Sequence, residues 1–280
     1  MSYIKNLLSH YTWEIAYGPY SDKIIDEGLI RVPIHKVKNP YKKKWFADPF
    51  ILEEDESTIQ LLVEEFDYNV RKGRIARLVV NKSDNKIVEC SIILELPTHL
   101  SFPVIYHYAG SIYVHPENSK SGASYIYRYD RSADKLVEPL LLINEPIADA
   151  IIRKDNGKYR MFATRCPDVN GCSLYEYSSE DLLGPYTYAK KHTFENKTAR
   201  MAGMFLECKD RRIIRPAQDC FGGYGKAVIL YDGHNPLCRI EPQIYKYAGI
   251  HTFNSLGDTF VIDYKKYDFP LIYRLSRLFK

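Results

Sequence analysis

Trp45-Phe46-Ala47-Asp48-Pro49-Phe50-Ile51, followed ten residues later by Leu61-Leu62-Val63-Glu64, is the stretch whose pattern recurs along the chain. A small or polar start leads into an apolar strand, then a turn, then a second apolar strand. The pattern returns at Ser101-Phe102-Pro103-Val104-Ile105, Ala148-Asp149-Ala150-Ile151-Ile152, Ala202-Gly203-Met204-Phe205-Leu206 and His251-Thr252-Phe253-Asn254. Aligning Asp48, Pro103, Asp149, Gly203 and His251 gives a period near fifty residues. That period, filled with short strands, is the length of one four-stranded propeller blade. Turn chemistry at Asp155-Asn156-Gly157 and Ala109-Gly110 agrees with hairpins.

Outer strands such as Ser124-Tyr125-Ile126-Tyr127-Arg128-Tyr129 alternate with period two, as half-buried strands do. The expected architecture is therefore all-β: one domain over residues 1–280, a five-bladed propeller of four-stranded antiparallel blades beginning near 45, 100, 148, 202 and 250. Trp13-Glu14-Ile15-Ala16-Tyr17 has no blade of its own, and is expected to pair into the fifth blade and close the ring, hiding an open edge. Helix is expected only at residues 3–10 and in the C-terminal tail.

The net charge of +4 does not call for a nucleic-acid partner. The six cysteines show neither CxxC pairs nor metal-ligand spacing with histidine, so neither a metal nor a cofactor is expected. Without a signal-peptide pattern or an apolar run of membrane-spanning length, the expected location is cytoplasmic. The 24 tyrosines suit both pleated surfaces and sugar sites, where a ring stacks on a pyranose.

In a propeller the innermost strands line one channel, so residues at their mouths share a pocket. Asp48, Asp149 and Glu117 are the candidate catalytic carboxylates. Glu64, Ser101, Arg165, Arg215, Gln218, Asp219, His251 and Asn254 are candidate substrate-binding residues. Arg215 with Asp219 fits an inter-blade ion pair equally well. Polar groups of this kind are expensive to bury unless paired or used, and sugar hydroxyls need many fixed partners. Replacing Asp48 or Asp149 by Asn is expected to leave stability unchanged or raised, since crowded charge is removed.

Phe46-Ala47-Asp48-Pro49-Phe50, Leu100-Ser101-Phe102-Pro103 with Pro116-Glu117, Asp149 with Tyr159-Arg160-Met161-Phe162-Ala163, Arg215-Pro216-Ala217-Gln218-Asp219 with Tyr224-Gly225, and Gly249-Ile250-His251-Thr252-Phe253-Asn254 fall in all five repeats. By these motifs the chain resembles the amino-terminal domain of glucosamine inositolphosphorylceramide transferases and its bacterial counterparts. More distantly it resembles the five-bladed glycoside hydrolases of family 43. The resemblance implies a propeller linked to sugar transfer and surface-glycan synthesis. The hydrolases carry a general-acid Glu, usually in a Glu-Gly-Pro turn; here the stretch is Arg200-Met201-Ala202-Gly203-Met204. Asp48 and Asp149 carry over as base and modulating carboxylate, and the acid does not.

The leading expectation is a glycosyltransferase acting with a nucleotide-sugar donor, because a phosphate leaving group needs little protonation. A glycoside hydrolase using Asp48 and Asp149 and a non-catalytic sugar-binding propeller are the alternatives. The run His35 to Lys44 brings positive charge toward the first blade, where it would attract a pyrophosphate. The basic amphipathic tail, residues 271–280, fits either packing on the propeller or contact with an anionic membrane surface carrying a lipid-linked acceptor. That would place the protein at the inner face of the membrane.

Overall fold

The computed structural model describes residues 11–241 and 249–267. The chain starts with β1 (Tyr11–Pro19), a five-residue helix α1 (Lys23–Glu27) and β2 (His35–Lys36). Blade one is β3 (Lys44–Glu54), β4 (Thr58–Asp67), β5 (Lys72–Asn81) and β6 (Lys86–Leu94). Blade two is β7 (Ser101–Tyr108), β8 (Ser111–Glu117), β9 (Ser124–Asp130) and β10 (Lys135–Ile143). Blade three is β11 (Ile147–Asp155), β12 (Lys158–Arg165), β13 (Ser173–Ser179) and β14 (Thr187–Thr193). Blade four is β15 (Leu206–Glu207), β16 (Ile213–Asp219), β17 (Ala227–Asp232) and β18 (Asn235–Ile240). Blade five is β19 (Phe253–Leu256) and β20 (Thr259–Tyr267), completed by β1 and β2. All strand pairs within the blades are antiparallel, which makes the molecule a five-bladed propeller.

The ring closes as the sequence leads one to expect. β1 pairs with β20 along its whole length, from Tyr11 opposite Tyr267 to Pro19 opposite Thr259. Its backbone groups on the β20 side are thereby satisfied, and β2 covers part of its other edge. Apolar faces pack between neighbouring blades; Phe50 of blade one meets Phe102 of blade two edge to face at 5.1 Å.

Three inner strands share a local irregularity that positions the site. Pairing breaks between Ala47 and Phe50, between Ser101 and Val104, and between Ala148 and Ile151. At each break one residue adopts the left-handed region: Asp48 at φ 50°, Phe102 at 47° and Asp149 at 48°. These are β-bulges, which bend the strand and re-aim a side chain at a cost of about 1 kcal/mol or more each. The true repeat partner of the two aspartates is therefore Phe102, one residue before the Pro103 of the sequence alignment.

Blade four departs from the expected pattern. Residues 202–205 form no strand, and only Leu206–Glu207 pairs, with Met201 bridging to Ala217. Gly203 explains this: at φ 153° it passes so close to the Phe253 carbonyl that any Cβ would overlap it. The backbone bends inward there and leaves the ladder. Helix α1 was also not anticipated. It is too short to show periodicity, and it buries Ile24 and Ile25 in the core between blades four and five. Both helices expected from sequence, at 3–10 and in the tail, lie outside the described residues.

Candidate functional site

The channel centre is built around His251. Its Nε2 lies 3.2 Å from Asp48 Oδ1 and its Nδ1 2.7 Å from Asp263 Oδ2, with all three residues buried. Asp263 also accepts the backbone amides of Asp48, His251 and Thr252 at 2.9–3.1 Å. Trp13, from the closing strand, stacks on the imidazole at 4.0 Å. Asp48 Oδ2 accepts the Phe102 amide at 3.2 Å, tying blade one to the bulge of blade two. Burial, then the charges of Glu64, Asp263 and Asp149, hold the Asp48 carboxyl well above the usual carboxylate range. Asp263 goes the other way: burial is outweighed by His251 and the amide bonds, which keep it ionised. Ligand atoms of Asp48, His251 and Asp263 lie within 4.8 Å of one another, so the trio has the donor set of a cation site. Linear spacing gave no sign of it, because the ligands come from two blades.

A second constellation lies at the channel mouth. Arg200 Nε and Nη2 donate to the two oxygens of Asp149 at 2.7 and 3.2 Å, and Arg200 Nη1 donates to Asn170 at 2.9 Å. Gln218 Nε2 adds a bond to Asp149 Oδ2 at 2.6 Å and another to the Met201 carbonyl at 2.9 Å. Burial opposes the Arg200 charge, but Asp149, Tyr224 and Glu117 outweigh it and push its pKa well up. Glu117 Oε2 accepts the Ser101 hydroxyl at 3.2 Å, and Oε1 accepts the Ser119 amide at 3.0 Å. Burial raises the Glu117 carboxyl, with the Ser119 bonds working against it. Glu64 Oε1 faces His99 Nε2 at 3.1 Å. The imidazole is raised, since Glu64 outweighs its burial.

These groups bound an open cleft of about 340 Å³ whose walls include Glu64, His99, Ser101, Glu117, Arg200 and Tyr224. Asp48 and Asp149 stand behind those walls, and Asp149 is neutralised by Arg200. The carboxylates that face the cleft are Glu64 and Glu117. Lys120 is a lining cation, whereas no residue of the run from His35 to Lys44 lines it. Within that run Lys44 is engaged by Glu65 at 2.6 Å.

Four candidates stand elsewhere. Arg165 pairs with Glu145 at 2.9 Å and lies over the Tyr175 ring at 4.2 Å, away from the cleft. Asp219 pairs with Arg239 rather than with Arg215, and accepts the Phe221 amide. Arg215 is buried against Phe194 and Tyr231. Asn254 is a clamp between blades: it donates to the Pro49 carbonyl and accepts the Met204 amide, each at 2.9 Å. Sequence reasoning missed Arg200, Tyr224, His99, Asp263 and Trp13. Arg200 sat in the very stretch inspected for a general acid, and an Arg there signalled a partner for a neighbouring carboxylate.

Residues 33–238 match the family model for glucosamine inositolphosphorylceramide transferase 1, N-terminal. Glucosamine inositolphosphorylceramide transferase 1 of Oryza sativa subsp. japonica is 28% identical over 200 residues, covering 68% of this chain and 26% of that protein. The Arabidopsis thaliana protein of the same name is 28% identical over 193 residues, covering 66% and 25%. This chain thus spans about a quarter of the length of the curated relatives it matches. Among solved structures, a thermostable family-43 glycoside hydrolase superposes with a TM-score of 0.56 at 13% identity, over 84% of this chain and 88% of that one. The α-L-arabinofuranosidase PaAbf62A of Podospora anserina, in complex with cellotriose, gives 0.55 at 10% identity over 82% and 94%. At such identities the structural likeness speaks for the five-bladed fold, while the family match extends through four of the five blades. The chain belongs to the family of glucosamine inositolphosphorylceramide transferase amino-terminal regions.

Proposed function

We propose that this propeller seats a sugar in the channel-mouth cleft and serves glycosyl transfer from a nucleotide-sugar donor, in the synthesis of a glycolipid or surface polysaccharide at the cytoplasmic face of a membrane. The observation that carries this reading is the convergence of Glu117, Ser101, Glu64, His99, Arg200 and Tyr224 on one open cleft. Glu117, raised by burial and touching the Ser101 hydroxyl, is suited to accept a proton from a sugar hydroxyl. Tyr224 offers a ring and Arg200 a fixed positive charge. Transfer is favoured over hydrolysis because the stretch where the hydrolases carry their acid holds Gly203, which backs onto the Phe253 carbonyl with no room for a side chain. The relatives' naming as transferases supports the same direction.

Calorimetry with a panel of nucleotide sugars and free sugars, followed by product analysis with lipid acceptors, tests this. A nucleotide sugar is expected to bind and Glu117→Gln to weaken binding or turnover roughly ten-fold or more. Binding of free sugar with no transfer would make the chain a sugar-binding unit. Release of sugar from oligosaccharides would make it a hydrolase.

A further inference from the structure

Between blades three and four lies a second groove of about 310 Å³, lined by Arg153, Lys190, His192, Arg215 and His234 together with Phe162, Phe194 and Phe205. Among the described residues no acidic side chain lines it. It is separate from the channel mouth: Arg153 stands toward the far end of β11 from Asp149.

Arg215 is the residue that makes this groove unusual. It is only 4% exposed. Its Nη1 donates to the carbonyls of Thr198 and Ala199 at 3.2 and 3.3 Å, while Nε and Nη2 have no hydrogen-bond partner among the described residues. In four other arginines that same guanidinium edge closes on a carboxylate. Arg74 uses it on Glu65, Arg77 on Asp134, Arg128 on Glu138 and Arg200 on Asp149. Arg215 instead lies 4.1 Å from the Phe194 ring centre and 4.8 Å from that of Tyr231. Burial without a counter-charge pulls its pKa down to about 9. An uncompensated buried charge is costly, and in a poorly screened environment it is felt well beyond contact distance.

The rest of the wall adds to that charge. Arg153 approaches Asp155 at 3.4 Å, and Asp155 is shared with Arg160. Lys190 and His192 face Glu176, at 4.0 and 2.7 Å, which Arg160 also engages. Four basic side chains (Arg153, Arg160, Lys190, Arg215) therefore stand against two carboxylates, Asp155 and Glu176, and this set is positive in balance even with both histidines neutral. The flat partners are at hand too: Phe194 stacks on His234 at 4.8 Å, and Phe162 meets Phe205 edge to face at 5.2 Å.

We propose that this inter-blade groove is a second ligand site, which takes a small phosphate-bearing molecule with a flat ring, of about nucleoside monophosphate size. The phosphate sits among Arg153, Lys190 and Arg215, and the ring lies on the outer face of the exposed His234, whose inner face stacks on Phe194. The volume is at the small end of ligand pockets, which excludes an extended glycan. Phosphate there supplies the counter-charge that Arg215 lacks and gives charge-assisted bonds to the cationic wall.

The test uses the full chain at low salt with phenyl phosphate and uridine monophosphate as probes, and uridine as the phosphate-free control. Both phosphates are expected to bind saturably and shift the imidazole NMR signals of His192 and His234, and uridine to do neither. The double variant Arg153→Ala, Lys190→Ala is expected to weaken phenyl phosphate binding at least about ten-fold. Arg215→Met, which removes the buried charge at similar volume, is expected to keep or raise the melting temperature and lose the stabilisation by phenyl phosphate. Saturable binding that survives both variants, shifts confined to His99 or His251, or no binding at millimolar probe would overturn the proposal. A lowered melting temperature in Arg215→Met, with phenyl phosphate stabilisation intact, would make Arg215 a packing element and overturn it as well.

Discussion

Arg200 holds Asp149 through both ends of the carboxylate, Nε to Oδ2 at 2.7 Å and Nη2 to Oδ1 at 3.2 Å. The pair joins blade three to the segment leading into blade four at the wall of the cleft, and Gln218 closes it from β16. Removing one partner of a buried pair leaves the other uncompensated. Asp149→Asn and Arg200→Met are each expected to lose about 2–3 kcal/mol in urea unfolding. Together they should lose clearly less than the sum, since the double variant strands no charge. Additive losses would show that the two side chains do not depend on each other. This reverses the expectation from sequence, in which Asp149→Asn was neutral or stabilising.

For Asp48 the same replacement should go the other way. Burial and the charges of Glu64, Asp263 and Asp149 raise its pKa, so the folded protein holds this proton to higher pH than the unfolded chain does. Its contribution to stability therefore falls as pH rises above about 4. Asp48→Asn, which still accepts the Phe102 amide, is expected to match or exceed the parent at pH 7, with the difference closing toward pH 4. Unfolding at pH 4, 5.5 and 7 would check it. A deficit that grows with pH would mean that the ionised carboxylate is required by His251.

His115 gives a pH effect of opposite slope. It is buried on β8 with Nε2 2.6 Å from the Ser124 hydroxyl, and burial lowers its pKa to about 4. The unfolded chain takes up a proton near pH 6.5 and the folded one does not until about 4. Stability from this group is present above 6.5 and drains away between 6.5 and 4, by about 3 kcal/mol in all. A His115→Gln variant should show a shallower acid-side loss over that window. An unchanged slope would assign the acid sensitivity to other groups.

Gly203→Ala tests the bend that shapes blade four. The new methyl would overlap the Phe253 carbonyl at a backbone φ of 153°, where side chains are rarely found. A loss of about 3 kcal/mol or more is expected in thermal or urea unfolding. A fully stable alanine variant would mean that the segment around Gly203 can move away from blade five without cost.

Much of the architecture was legible because it follows from local periodicity. Two-residue alternation, hairpin turns and a repeat near fifty residues require only neighbours in sequence, and the unmatched strand at Trp13 announced how the ring closes. Asp48, Asp149, Glu117, Ser101 and His251 were singled out as candidates by the same logic, as residues at the starts or ends of inner-blade strands. The one-residue error at Pro103 came from the bulges, since an extra residue in a strand cannot be seen without its partner strand.

What the sequence could not supply was the pairing of charges across blades. Nothing local says that Arg200 neutralises Asp149, that Asp263 and Asp48 share His251, or that Asp219 chooses Arg239 over Arg215. Those choices depend on which side chains the closed ring brings within a few ångströms, and at that range burial magnifies each charge. The sequence by itself determined the five blades, the closing strand and the set of polar residues available to a site. Tertiary structure alone decided which of these face the cleft, which stand behind it neutralised, and which, like Arg215, end in a different groove with a charge that no carboxylate among the described residues answers.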